Sequence, residues 1–286
     1  MTAKKTPMWF DSPQLRTLID LALTEDVATG DHATEATLPP NRQGRASVRA
    51  KSEAVFCGGP LFTAVMLRVD PRLQIELLAA EGDAVAKGST VLRIEGRLAS
   101  ILTAERTALN FLQRLSGIAT QTRAYVAAVG THKAKITDTR KTLPGYRALD
   151  KYAVRTGGGF NHRTSLDSGI LIKENHTTAA GSVAESLRLA RKVGSHLLKA
   201  EVEVETLTDL EQALAAGADV ILLDNMTLEQ MRDAVRRTAG RALLEASGNM
   251  ALDRIADVAA TGVDLISVGA LTHSVIAADF SLRIEG

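Results

Sequence analysis

Between residues 201 and 205 the chain reads Glu-Val-Glu-Val-Glu. As a strand, its period of two puts Glu201, Glu203 and Glu205 on one side and Val202 and Val204 on the other. Carboxylates turned into a protein interior are costly unless a cation or a metal faces them. The candidates for that partner are Lys141, Lys173, Lys199 or a bound metal ion. A second set is basic: Arg140, Lys141, His162, Arg163 and Lys173. It falls in a stretch, His132 to Lys173, with nine Lys or Arg against three Asp, whereas Glu201 to Met231 has eight acids and no Lys or Arg. Guanidinium groups brought together repel unless an anion joins them, and their planar forks suit carboxylate or phosphate. The chemistry in prospect is the capture of a multiply charged anion beside a group of carboxylates.

These sets meet only if the fold brings them together. Short apolar, β-branched runs end near Ile136, Ile172, Val204, Leu223, Leu244 and Val268. Helix-like stretches such as Ser182–Val193, Thr208–Ala216, Thr227–Thr238 and Asp253–Ala260 lie between them. That alternation means βα units and a parallel sheet. Periodicity does not choose between an open doubly wound sheet and a barrel. The residues that follow the runs say more: Asp138-Thr139-Arg140-Lys141, Lys173-Glu174-Asn175-His176, Asp224-Asn225, Glu245-Ala246-Ser247-Gly248-Asn249 and Gly269-Ala270. A barrel active site needs polar groups at the carboxyl end of every strand, because those ends open on one face. The basic and acidic blocks then converge on one mouth. Barrels commonly hold phosphate after their last two strands, here at Ser247-Gly248-Asn249 and Gly269-Ala270. Gly157-Gly158-Gly159 permits close backbone approach, although a glycine triplet alone is more often a flexible loop.

The first half reads differently. Asp11–Leu23 is an amphipathic helix, Ala46–Phe56 and Leu73–Leu78 read as strands, and Thr103–Leu115 is a long helix. Glu81–Gly96 looks like half of a biotinyl or lipoyl carrier but lacks the acceptor lysine at a hairpin tip, which leaves a structural β unit. Phe280–Ile284 is a lone strand, expected to return to the first domain.

Composition narrows the function classes. Of 286 residues, 45% are hydrophobic, and the net charge is only +1, without the broad basic excess of a general nucleic-acid binder. Aromatic residues, at 3%, leave few stacking platforms for single strands. A lone cysteine, Cys57, excludes an internal disulfide framework and a multi-cysteine zinc site. No apolar run approaches the roughly 18–20 residues of a membrane span, and Met1–Phe10 shows no apolar secretory core. The location expected is cytoplasmic. Phosphate loops of the GxxxxGK[ST] kind, GxGxxG after a strand, HExxH and GxSxG are all missing.

Several longer strings resemble one family. Thr137-Asp-Thr-Arg-Lys-Thr-Leu-Pro-Gly145, Lys151-Tyr-Ala-Val154, Gly157-Gly-Gly-Phe-Asn-His-Arg163 and Leu171-Ile-Lys-Glu-Asn-His176 are similar to quinolinate phosphoribosyltransferases. Glu105-Arg-Thr-Ala-Leu-Asn110, Ile221-Leu-Leu-Asp-Asn-Met226, Glu245-Ala-Ser-Gly248 and Val268-Gly-Ala-Leu-Thr-His273 continue the likeness. Asn249 and Ala246 depart from it where another small residue is expected around Ser247-Gly248.

The resemblance implies an α/β protein in two domains. One is an N-terminal α/β sandwich, residues 1–116 joined by the returning strand 275–286; the other is an open, incomplete TIM-like α/β barrel, residues 117–274. It implies transfer of phosphoribose from phosphoribosyl pyrophosphate to quinolinate with loss of CO2, Mg2+ as cofactor, and a homodimer, or a higher oligomer, whose sites are shared between subunits. Carried over residue by residue, Arg106 (from the partner subunit), Arg140, His162, Arg163 and Lys173 line the quinolinate pocket, and Thr139 is a further substrate-binding residue. Lys141, Glu203 and Asp224 are the catalytic set, the two acids serving the metal directly or through water. Ser247, Gly248, Gly269 and His273 form the phosphate end. The alternatives are a pyrophosphorylase-like protein of molybdate transport, a nicotinate phosphoribosyltransferase, and a non-catalytic ligand-binding barrel.

Overall fold

The computed structural model describes residues 12–285. The readings that rest on Met1–Phe10 and Asp11 lie outside them. Contacts divide the chain into two units, Met1–Thr120 with Val275–Gly286, and Gln121–Ser274.

The first unit carries helices α1 (Pro13–Val27), α2 (His32–Thr37), α3 (Gly59–Val69) and the first part of α4 (Leu98–Val129). Its strands are β1 (Gln43–Ala50), β2 (Ala54–Val55), β3 (Gln74–Leu77), β4 (Ala84–Val85), β5 (Thr90–Arg97) and β12 (Phe280–Glu285). An antiparallel sheet runs in the order β12-β1-β5-β3, with Ala46 opposite both Ile284 and Ile94. Val48, Leu92, Ile94, Phe62 and Leu112 are among its fully buried side chains. The expected strand 46–56 is two strands in two sheets. Exposed Lys51, Ser52 and Glu53 break it, and β2 pairs with β4 instead. The expected helix 103–115 is only the middle of α4, because Ile118, Ala119, Tyr125 and Val129 continue its buried stripe.

The second unit contains β6 (Lys135–Thr137), α5 (Arg147–Thr156), β7 (Ile170–Ile172), α6 (Glu174–Ala180), α7 (Val183–Val193) and β8 (Ala200–Val204). These are followed by α8 (Leu207–Ala215), β9 (Val220–Asp224), α9 (Leu228–Thr238), β10 (Leu243–Ser247), α10 (Ile255–Ala259), β11 (Leu265–Ser267) and α11 (Ala270–His273). Side chains start three of the helices: Ser182, Thr206 and Thr227 each accept the backbone N–H three residues on.

All six strands are parallel, in the order β7-β8-β9-β10-β11-β6. Each strand from β7 to β11 lies beside its successor, and the first, β6, pairs with the last. A doubly wound sheet reverses order at a switch point. This one never reverses, so it is an open TIM-like barrel whose free ends are β6 and β7. The segment after α5 lies along β6: Phe160 bridges to Thr137, donating its N–H to the Ile136 carbonyl and accepting from Asp138 N. The glycine triplet that precedes it is a packed turn. A Cβ on Gly159 would lie 2.8 Å from Val154 Cγ1 and 2.9 Å from Thr122 Cγ2.

Candidate active site

Strand periodicity selects the residues that face the barrel interior. On β8, Val202 and Val204 are buried on the face where α7 and α8 pack, so Glu201 and Glu203 turn inward. The register then sets Leu222 beside both Glu203 and Glu245, and Asp224 beside Ser247. Glu203, Leu222, Asp224, Glu245 and Ser247, together with Leu171 and Ser267, line a cavity of about 460 Å³. Glu205 departs from the expectation: it lies beyond the end of β8, is exposed, and lines a neighbouring groove that shares only Glu203 with the cavity.

The basic groups enter from strand ends and loops. Arg140 and Lys141 follow β6, His162 and Arg163 follow the Phe160 bridge, and Lys173 caps the start of α6; all five line the same cavity. Thr139, also at the cavity, accepts the Lys141 N–H at 3.0 Å, and the Lys141 carbonyl accepts the Thr272 hydroxyl at 2.8 Å. Arg140 and Arg163 each have a buried Nε with no hydrogen-bond partner. Burial, with the charge of Arg140 added, lowers the Arg163 pKa from the ordinary guanidinium value. Two neighbouring cations with unspent donors are arranged for an anion. Across the cavity burial raises the Glu203 pKa, and the charge of Asp224 adds to the effect while Lys173 opposes it.

Beneath these groups sits a deeper cluster. His162 Nε2 lies 2.9 Å from Glu201 Oε2 and 3.8 Å from Glu245 Oε1. The group facing Glu201 is therefore His162 and none of the lysines expected from sequence; Lys199 stands exposed before β8. Burial disfavours the imidazolium, yet the Glu201 hydrogen bond and the charges of Glu245 and Glu201 outweigh it and raise the His162 pKa. The Arg163 N–H points at His162 Nδ1 at 2.7 Å, which requires a lone pair on that nitrogen. With that lone pair kept, the ring proton belongs on Nε2, toward Glu201.

The likeness to known proteins covers both units. A family model described as quinolinate phosphoribosyl transferase, C-terminal domain, matches residues 118–283, and its N-terminal counterpart matches residues 31–116. The chain is 42% identical over 271 residues to a probable nicotinate-nucleotide pyrophosphorylase [carboxylating] of Bacillus subtilis, covering 95% of this chain and 93% of that one. It belongs to the quinolinate phosphoribosyltransferase family. A second relative, the nicotinate-nucleotide pyrophosphorylase [carboxylating] of Mycobacterium leprae, is 44% identical over 275 residues, 94% of this chain and 96% of its own. The crystal structure of NadC from Streptococcus pyogenes superposes with a TM-score of 0.93 at 42% identity, covering 99% of this chain and 98% of that one.

Within this family assignment, most of the residues singled out from sequence lie at one mouth. Ser247 and Gly248 line the cavity beside Asp224 and Asn225. Gly248 has φ +90°, and a Cβ there would strike Asn225 Oδ1 at 2.2 Å, so only glycine fits. Asn249, the departure noted in sequence, adopts φ +49°, a left-handed conformation that asparagine tolerates better than most residues. Gly269 and His273 flank Lys141: a Cβ on Gly269 would be 3.1 Å from both side chains. Arg106 lies elsewhere, exposed on α4 in the first unit.

Three partners went unrecognised in the sequence. Glu245 was visible only as part of a string, although an ionisable residue inside an apolar strand is itself a signal. Asp138 and Lys151 form a buried ion pair, and Asp138 also accepts from Asn161 Nδ2 at 2.5 Å and from His162 N at 2.9 Å. No periodicity marks that pair, since its members come from a loop and a helix.

Proposed function

We propose that the protein transfers the phosphoribosyl group of phosphoribosyl pyrophosphate to the ring nitrogen of quinolinate, with release of pyrophosphate and CO2, to give nicotinate mononucleotide. The observation that carries this reading is the pair of unpartnered Nε donors on Arg140 and Arg163. Quinolinate is a dianion, and two guanidinium forks with Lys173 nearby match its two carboxylates. The names of the relatives in Bacillus subtilis and Mycobacterium leprae point the same way, as does a quinolinate phosphoribosyltransferase [decarboxylating] of Nicotiana tabacum, 40% identical over 95% of this chain.

Loss of pyrophosphate leaves positive charge on the ribosyl carbon. Glu203 and Asp224 supply fixed negative charge on the cavity wall facing the basic groups, and such preorganised charge is worth most in a dry site. Lys141, beside Gly269 and His273, neutralises phosphate oxygens, and Ser247 and Gly248 offer a hydroxyl and a close backbone approach for the remaining phosphate. No protein nucleophile is needed.

Mg2+ fits the donor set. Glu203 and Asp224 offer hard carboxylate oxygens, and the charge of Asp224 acts on Glu203. Bound there, directly or through water, the ion supplies charge neutralisation for the leaving pyrophosphate. The functional unit in this proposal is a homodimer in which Arg106 reaches the quinolinate site of the second copy, and the protein works in the cytoplasm. Among the described residues no helix is long and apolar enough to cross a membrane.

The decisive experiment supplies purified protein with quinolinate, phosphoribosyl pyrophosphate and Mg2+, and follows CO2 and nicotinate mononucleotide. Turnover of quinolinate that stops on chelation and resumes with Mg2+ is expected. Equal turnover of nicotinate, a monoanion, would show that the basic set has been misread.

A further inference from the structure

The function proposed above leaves one proton unassigned. When the C2 carboxylate of the ribosylated pyridine leaves as CO2, its bonding pair stays on C2 beside the cationic ring nitrogen. That carbon must then take up a proton. We propose that Glu245 is the acid that delivers it, held in the neutral form until that moment.

The placement is specific. Glu245 projects inward from the middle of β10, is 2% exposed, and lines the cavity alongside His162, Arg163 and Arg140. Its Oε1 has no hydrogen-bond partner. His162, Glu201 and Glu245 each bring one ligand-type atom within 4.8 Å of the other two. Three heteroatoms so close in a buried place hold few charges. The single N–H of His162 goes to Glu201 Oε2, because Nδ1 is engaged as an acceptor of the Arg163 N–H. Glu245 receives none of it.

The groups facing Glu245 come from every neighbouring element: Glu201 on β8, His162 after α5, Asp138 after β6 and Ser267 on β11, while β9 presents Leu222. Burial and the charge of Glu201, with a smaller addition from Asp138, push its carboxyl up to about 7, against the opposing pull of His162 and Ser267. A carboxylic acid that keeps its proton near neutral pH, beside the site where a carbanion forms, has the properties of a general acid.

The step balances. The C2–carboxylate bond breaks with both electrons left on C2, the Glu245 O–H bond breaks, and the new C2–H bond forms. Glu245 ends as a carboxylate and regains a proton from water before the next turnover. Without a ready acid, the carbanion recaptures CO2 and the dicarboxylate nucleotide persists.

The test separates the two chemical steps, and it rests on the phosphoribosyl transfer proposed above. Glu245→Gln keeps the shape and the neutral charge but has no proton to give. In single-turnover reactions, pyrophosphate release should stay within a few-fold of the unaltered protein. CO2 release should fall by about 10²-fold or more, and the ribosylated dicarboxylate should accumulate. Glu245→Asp, still an acid, should restore part of the CO2 release, and it provides the same comparison if the Gln variant does not fold. Pyrophosphate and CO2 falling in equal proportion, or neither falling, would overturn the assignment. If the unaltered protein releases neither product, the underlying function is wrong, a result distinct from failure of the proton assignment.

Discussion

The Asp138 carboxylate binds the Lys151 ammonium and the His162 backbone N–H through the same oxygen, with neither side chain of the ion pair more than 5% exposed. One buried charge thus fixes the start of the segment that carries His162 and Arg163 into the cavity. Asp138→Ala should destabilise the second unit by about 3–5 kcal/mol, because it strands a buried ammonium. Denaturant titration measures the loss. The double variant Asp138→Leu, Lys151→Met should recover much of that stability but not quinolinate binding, since the His162 N–H loses its acceptor and Asn161 Nδ2 keeps only the residue-151 carbonyl. Recovery of both would show that the pair has no part in placing the segment.

Arg140 illustrates the opposite balance. Its guanidinium depresses the pKa of Arg163 by like-charge repulsion, and its Nε has no partner. Arg140→Gln should leave the ligand-free melting temperature unchanged or higher. Quinolinate affinity should fall by roughly 2–5 kcal/mol, the usual cost of losing one side of a buried charged contact. Calorimetry with the empty and quinolinate-loaded protein reads both effects.

The raised pKa of Glu245 has a definite sign in stability. The folded state holds its proton more tightly than the unfolded chain, whose glutamates titrate near ~4.3. Stability is therefore full below that pH and declines as pH rises to about 7. Glu245→Gln removes the decline. It should be more stable than the parent at pH 8, by roughly 3–4 kcal/mol relative to the same comparison at pH 4. Parallel stability curves for the two proteins from pH 4 to 8 would contradict this.

The shared-site arrangement can be read in mixtures. Arg106→Ala and Lys141→Ala should each be nearly inactive, and mixing them under conditions of subunit exchange should restore part of the activity. Each mixed dimer keeps one site with both residues intact. No rescue, with exchange demonstrated by mass labels, would place Arg106 outside the partner's site.

What the sequence reveals follows the range of the forces concerned. The barrel was legible because the βα alternation from Ile170 onward is local, and the polar residues after each apolar run mark the strand ends. The inward turn of Glu201 and Glu203 followed from strand period alone. The partner of Glu201 did not: His162 lies thirty-nine residues earlier and meets it only because the Phe160 segment lies along β6. The break after Ala50 was missed for a similar reason. Lys51-Ser52-Glu53 is short enough to belong to a strand, and only the pairing of β2 with β4 shows that the strand has ended. Periodicity alone did not separate a barrel from a doubly wound sheet; the polar strand ends and the family resemblance pointed to the barrel, and the β11–β6 pairing joins the first and last strands of the unit.

The pairing of β1 with β12 has a consequence for biosynthesis. Ala50 and Phe280 are partners some 230 residues apart, and the whole second unit is translated between them. Until Phe280–Glu285 leaves the ribosome, β1 has an unpaired edge, open to pairing with other nascent chains. The barrel strands, all encoded earlier than β12, can assemble first. The sheet that contains β1 is thus completed after the barrel, and a chain cut short before Phe280 would carry a finished barrel and a sticky edge.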